Sequence, residues 1–513
     1  MMNRNRREFL ADVGKGMLLT SVGSGVAAEL GLAPSFAADG PERLLFGDRE
    51  SLVGLMQDTP VDKLLPVLLE KLQGGAKLDD LVAAAALANA RTFGGLDYEG
   101  HHCFAALLPS LQMSRELPEA RRALPVFKVL YRNTSCIQGA GGSKKEALHP
   151  VVAADLPKGR PGSDLLRETF RKGDLGAAER TFAALTRGPI GEAYNDLQFC
   201  VHDEIDVHRV VLSWRAWATI DVVGKDQALT LLRQSVRFCV RVQDRPTIGI
   251  RAQLPKLLDQ YKLLDRPPGN RRAEDARVDR LALTIYDASP AEAAEAAAAA
   301  LAEGLSPEDV GEAISLASNR LVLCDQGRIP MKSAPEVPEG SVHGNSVGVH
   351  ASDAANAWRN IARVTNSRNT FASLIVAAFQ TCVRPEHRGP LSKEPMPLPA
   401  HLEKITAKDA GALLHDAEAA IRASDQAGAA ALVQRYGELK LPERPVFDLL
   451  LRYACSEDGA LHAEKYYRTV CEEFATTRPA FRWRQLVALA RVTASEYGHP
   501  SPGYLEASRL MKV

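Results

Sequence analysis

Apolar residues recur at three- and four-residue spacing over most of this chain, and that period commits it to helices. Helix-start signals punctuate the pattern. Thr59-Pro60 precedes Val61–Leu72, Ser289-Pro290 precedes 291–303, and Ser306-Pro307 precedes 308–319. Each pairs a side chain that can cap orphan amides with a proline at the first helical position. Leu78–Thr92, Ala410–Arg435, Pro445–Ala454 and Trp483–Ser495 carry the same period. Period-two alternation is scarce, so a large sheet is not expected. The spacing predicts an all-α fold, a multi-helix bundle or helical array.

Composition excludes some classes. The chain has 513 residues, 46% apolar and 25% charged, ordinary for globular proteins and unlike disordered or fibrous ones. Lys+Arg and Asp+Glu are both 63, so the basic excess of a nucleic-acid binder is missing. No run of about 18 apolar residues marks a membrane span after the leader.

Residues 1–38 read as that leader. Arg6-Arg7-Glu8-Phe9-Leu10 is a twin arginine with a bulky apolar pair, followed by a weakly apolar stretch from Gly14 to Leu32. Ser35-Phe36-Ala37 offers the small residues a signal peptidase reads, so cleavage is expected after Ala37 or Ala38. The twin-arginine export machinery is then a partner, and the destination is the bacterial periplasm or the outside. Eight cysteines are scattered with no Cys-x-x-Cys pair, which argues against thiolate zinc and iron–sulfur sites. In an oxidising compartment some could pair, with a connectivity the sequence does not give; contexts such as Phe238-Cys239-Val240 read as buried free thiols.

Pro/Gly-rich breaks fall at about 137–163, 265–275, 327–347 and 383–400. The long 327–347 segment ends beside two histidines and reads as a lid. Breaking at the second divides the mature chain into an N-terminal half, 39–265, and a C-terminal half, 276–513. The halves share features. Gly100-His101-His102-Cys103-Phe104-Ala105-Ala106 and Gly348-Val349-His350-Ala351-Ser352-Asp353-Ala354 both follow Gly-x-His-x-x-x-Ala at a helix start. Val201-His202-Asp203-Glu204 echoes Leu461-His462-Ala463-Glu464. A duplication would give each half one histidine of each kind, with a metal site between helices. Chance similarity between Ala-rich stretches is the alternative.

Twelve histidines supply the candidate chemistry. His149, His387, His401 and His499 sit beside prolines or in polar loops and read as surface residues; His415 is ambiguous. His101, His102, His202, His208, His343, His350 and His462 remain. His102, His208 and His350 each precede a strongly apolar helix start. An imidazole turned into a bundle core must find a partner, because unpaired burial costs a few kcal/mol. A carboxylate or carbonyl would make it a satisfied core histidine; a metal shared between helices is the other solution. Neutral imidazoles suit iron, zinc or copper. Asp203, Glu204 and Asp206 could orient imidazoles or form a solvated edge. Trp214, Trp217 and Trp358 could line a pocket or pack the core. The chain has no Walker loop, no Gly-x-Ser-x-Gly elbow and no His-Glu-x-x-His.

Four islands together resemble the questin oxidase-like family: Gly100-His101-His102-Cys-Phe-Ala-Ala-Leu-Leu, Val207-His208-Arg209-Val-Val, His350-Ala-Ser-Asp-Ala-Ala-Asn356-Ala357-Trp-Arg359 and Leu461-His462-Ala-Glu-Lys465. They cover about a tenth of the chain. The resemblance implies a helical non-haem Fe(II) oxygenase that uses O2 on an aromatic or quinone-like small molecule. It implies His102, His208, His350 and His462 as ligands, with Lys465 carrying a carbamate. Burial would favour the neutral amine, which alone adds CO2. The leader, the doubled His101-His102 and the extra His202 and His343 depart from the fungal pattern, so His101, His202 and His343 stand as alternate ligands. Two other readings fit the same residues. A non-enzymatic helical repeat scaffold would hold its histidines far apart; a zinc-dependent hydrolase would use the same cluster.

Overall fold

A computed structural model describes residues 42–242, 249–330, 333, 338–342, 346–382 and 391–513. The leader, His343 and His387 lie outside the described residues, as does much of the 327–347 segment. Helices make up the described chain, and its only β pairings are isolated bridges: Arg271 with Leu305, Asp325 with Leu391, and Glu457 with Pro500. The fold is all-α. No described helix is long and apolar enough to cross a membrane.

The start signals act largely as their chemistry dictates. Ser289 and Glu292 form a reciprocal capping box ahead of Pro290–Ala302, and Ser306 caps Pro307–Cys324 through the Asp309 amide. Thr59 does not cap its helix. Pro60 is itself extended at ψ 135°, so Val61–Gln73 begins one residue later with no side-chain cap. The expected Ala410–Arg435 helix is two, Ala410–Arg422 and Gln426–Glu438. Ser424 between them turns left-handed at φ 54°, and Asp425 caps the second through the Gly428 amide at 2.9 Å.

Residues Leu44–Val513 form one compact unit. Its larger apolar core runs from Phe46 to Ala507 and includes helices on both sides of the 265–275 break. A second core gathers Met113, Val322, Val349 and the helices from Leu413 to Ala494. Four helices lie where these cores meet: α1 (Tyr98–Ser114), α2 (Val207–Val223), α3 (Val347–Val364) and α4 (His462–Thr476). Helix α1 packs on α2 and α4, and α3 also packs on α2 and α4.

Candidate metal centre

Each of the four helices delivers a histidine from its first five residues, and local chemistry fixes each start. Asp97 caps α1 through the Gly100 amide at 2.6 Å, Asp206 caps α2 through the Arg209 amide at 3.1 Å, and Ser346 caps α3 through the Val349 amide at 3.3 Å. The glycines of the two Gly-x-His motifs have a steric role. A β-carbon on Gly100 would lie 2.4 Å from the Phe93 ring, and one on Gly348 would lie 2.3 Å from the Val322 amide nitrogen. Only glycine lets these helix starts approach so closely. Helix α4 starts differently: Gly459, Ala460 and Leu461 all have positive φ, at 50°, 47° and 62°. Two non-glycine residues in that region cost of order 1–3 kcal/mol each, and the result is that His462 opens the helix.

These starts bring the imidazoles together. Ring centroids lie 4.7 Å apart for His102 and His462, 5.3 Å for His102 and His208, 5.4 Å for His350 and His462, and 5.9 Å for His208 and His350. His101 joins them, 5.0 Å from His208 and 5.5 Å from His102. Lys465 Nζ lies 2.6 Å from His102 Nδ1 in a buried contact. His101 Nδ1, His102 Nε2 and His208 Nε2 are buried with no hydrogen-bond partner among the described residues. Among the described residues no three His, Cys, Asp or Glu side chains already stand in ligand geometry; the cluster is a convergence of rings.

Electrostatics favour the neutral forms. Burial, reinforced by the charges of His208 and Lys465, holds His101 well below the ordinary histidine range. Burial together with Lys465 and His462 does the same to His102. Burial brings the Lys465 ammonium down to about 8, against the opposing pull of Asp353 and Glu464. His208 Nδ1 lies 3.4 Å from Asp206 Oδ1, the one acidic neighbour from the 203–206 group to reach the cluster. Asp203 is taken by Arg167 and Arg171, and Glu204 by Arg209 and Arg251.

Of the alternate ligands, His101 belongs to the cluster and His202 does not. His202 Nε2 bonds Ser373 Oγ at 3.0 Å, Nδ1 lies 3.3 Å from Arg368 Nη1, and the ring stacks on Trp358 at 5.3 Å. It is a satisfied core histidine. The tryptophans pack rather than line a cleft: Trp358 is fully buried and donates to Gln380 at 2.8 Å, and Trp217 stacks on Tyr194 at 4.3 Å.

Sequence reasoning missed the residues around the rings. Tyr98, 58% exposed, presents its ring to His102 at 4.6 Å and His208 at 5.1 Å, so it stands between the cluster and solvent. Behind the rings, Asp353 lies one turn after His350 and accepts from Thr469 at 2.7 Å. Arg215, two turns after His208, is buried and its Nε has no hydrogen-bond partner. Lys128, from the Ala123–Gly139 helix, meets Glu464 at 2.6 Å with both side chains fully buried. The one-turn and two-turn spacing from a histidine was a usable signal for Asp353 and Arg215; nothing local marks Lys128.

The chain matches no family model, no curated protein and no solved structure.

Proposed function

We propose that the cluster holds a single metal ion, iron(II), and that the protein is a non-haem oxygenase of questin oxidase-like type, acting on an aromatic or quinone-like small molecule. The observation that carries this reading is the meeting of imidazoles from four remote helices. Imidazole nitrogens bind such ions at about 2 Å, so neighbouring rings on one ion have centroids roughly 4.5–5.5 Å apart, close to the spacings above. The orphaned buried nitrogens of His101, His102 and His208 fit such a group, because burying them unpaired costs free energy that a ligand bond removes.

His102, His208, His350 and His462 would hold the ion after small rotations of their rings, with His101 beside them. Lys465 would supply an anionic oxygen: its neutral amine adds CO2 and loses one proton, giving a carbamate. Bound iron(II) would supply electron transfer to O2 and orient the substrate oxygen. The chain's own residues do the rest. Asp206 orients the His208 ring through Nδ1. Tyr98 offers an aromatic face at the solvent side for stacking a planar substrate. The leader read from residues 1–38 would place this activity in the periplasm or outside.

The scaffold reading required histidines standing apart, and the ring spacings speak against it. Anaerobically iron-loaded full-length protein, mixed with a hydroxyanthraquinone or a hydroquinone in an oxygen electrode, is expected to consume O2 in step with substrate. Hydrolytic activity of the zinc-loaded protein without O2 uptake would replace this reading with the hydrolase. Neither activity, across both probes, would remove it.

A further inference from the structure

We propose that Cys103 and Cys136 form a reversible intrachain disulfide that pins the second turn of α1, one residue after His102. The inference is independent of any bound metal. Cys103 Sγ lies 3.7 Å from Cys136 Sγ, across the contact between α1 and the Ala123–Gly139 helix. A disulfide needs its sulfurs about 2 Å apart, so the atoms must close by less than 2 Å, which side-chain rotation can provide. The two thiols differ in access. Cys103 is 1% exposed, whereas Cys136 is half-buried and reachable from solvent. Cys103 donates to the Cys136 sulfur across that gap, which favours negative charge on Cys136, and Glu99 Oε2 accepts from the Cys136 thiol at 3.4 Å. An accessible attacking sulfur and a buried resolving sulfur within reach are the parts an exchange reaction needs.

The oxidant is a low-molecular-weight disulfide. Cys136 attacks one sulfur of that disulfide and its proton passes to the departing sulfur; a mixed disulfide forms and one small thiol leaves. Cys103 then attacks the Cys136 sulfur and its proton passes to the departing sulfur; the intrachain bond forms and the second small thiol leaves. Two protein thiols are oxidised and one external disulfide is reduced to two thiols. The placement gives the bond a consequence. Cys103 directly follows His102, and the Ala123–Gly139 helix reaches α4 through Lys128 and Glu464. The link therefore joins the helix carrying His101 and His102 to a support that also holds the helix carrying His462 and Lys465.

The test uses full-length protein incubated with oxidised glutathione, alkylated without reduction and digested with trypsin. The expected product joins the peptide 92–115 to the peptide 133–144, with a mass two hydrogens below their sum. Oxidation should raise the melting temperature by about 3 °C, as expected for a loop of this size closed in a chain of this length. Cys136→Ser, at a half-buried position that tolerates the change, should fold and lose both effects. Recovery of the two peptides unlinked, each alkylated or with glutathione on Cys136 alone, would overturn the proposal, as would an equal melting shift in Cys136→Ser.

Discussion

Lys465 Nζ lies 2.6 Å from His102 Nδ1 although 363 residues separate them in the chain. Both side chains are buried. A cation-forming group so close to an imidazole is tolerated only where one of the two stays neutral, and burial acts on both in that direction. Lys465→Met should therefore keep the fold: thermal unfolding is expected within a few degrees of the parent, because a hydrophobe of similar length replaces a desolvated amine. A collapse of the fold on this change would show that the amine is a structural cation instead.

The second buried lysine behaves differently. Lys128 meets Glu464 at 2.6 Å and also donates to the carbonyls of Ala454 and Glu457. Lys128→Met leaves a buried carboxylate alone and is expected to cost about 3–5 kcal/mol. The double variant Lys128→Met with Glu464→Leu should recover most of the loss. Chemical denaturation of the three variants measures the coupling.

Helix α3 is joined to α4 by Arg359, which donates to Glu473 at 2.6 Å inside the core. Glu473→Ala should destabilise by about 1–3 kcal/mol, since the guanidinium loses its buried partner and keeps Glu308 at 3.1 Å. Surface pairs such as Arg115–Asp79 should change stability by less than about 1 kcal/mol when broken. Parallel denaturant titrations separate the two cases.

Gly348→Ala tests how α3 is seated. Its β-carbon would meet the backbone of Val322 at 2.3 Å, and backbone does not give way. A loss of about 1–3 kcal/mol is expected, together with displacement of His350, two residues along. Gly191→Ala, with nothing within 4 Å, is the matched control and should be neutral or slightly stabilising.

Burial pushes the Asp196 carboxyl up to about 6, with Glu192 and Asp164 adding repulsion and a bond from the Ser163 amide opposing. A raised carboxyl favours the folded state when protonated. Its contribution is complete below the unfolded value near 4 and is lost as pH rises through 6. Asp196→Asn should melt about a degree above the parent at pH 7.5, the gap being small because the group is partly solvated, and the gap should close at pH 4.

Helix positions were legible in the sequence wherever a cap and a period coincided, as at Ser289-Pro290 and Ser306-Pro307, because both signals are local. The break at Ser424 was not, because an apolar period continues through it and only backbone conformation separates the helices. His102, His208 and His350 could be singled out by the apolar helix starts that follow them and His462 by its echo of His202 and the family resemblance, but their meeting depends on how α1, α2, α3 and α4 pack. His202 shares the His-x-Glu pattern with His462 and has a different fate, decided by Ser373 and Arg368 far along the chain. The strained Gly459-Ala460-Leu461 turn was invisible for the opposite reason: neither Ala460 nor Leu461 favours the conformation that the fold imposes on it.

The most direct test of the histidine centre is iron stoichiometry after anaerobic loading and desalting of full-length protein. About one iron per chain is expected in the parent, with His102→Ala and His208→Ala each retaining a small fraction while still folded by circular dichroism, and His202→Ala retaining iron. Less than about 0.1 iron per chain in the parent, or equal iron in His102→Ala and His208→Ala, would contradict it.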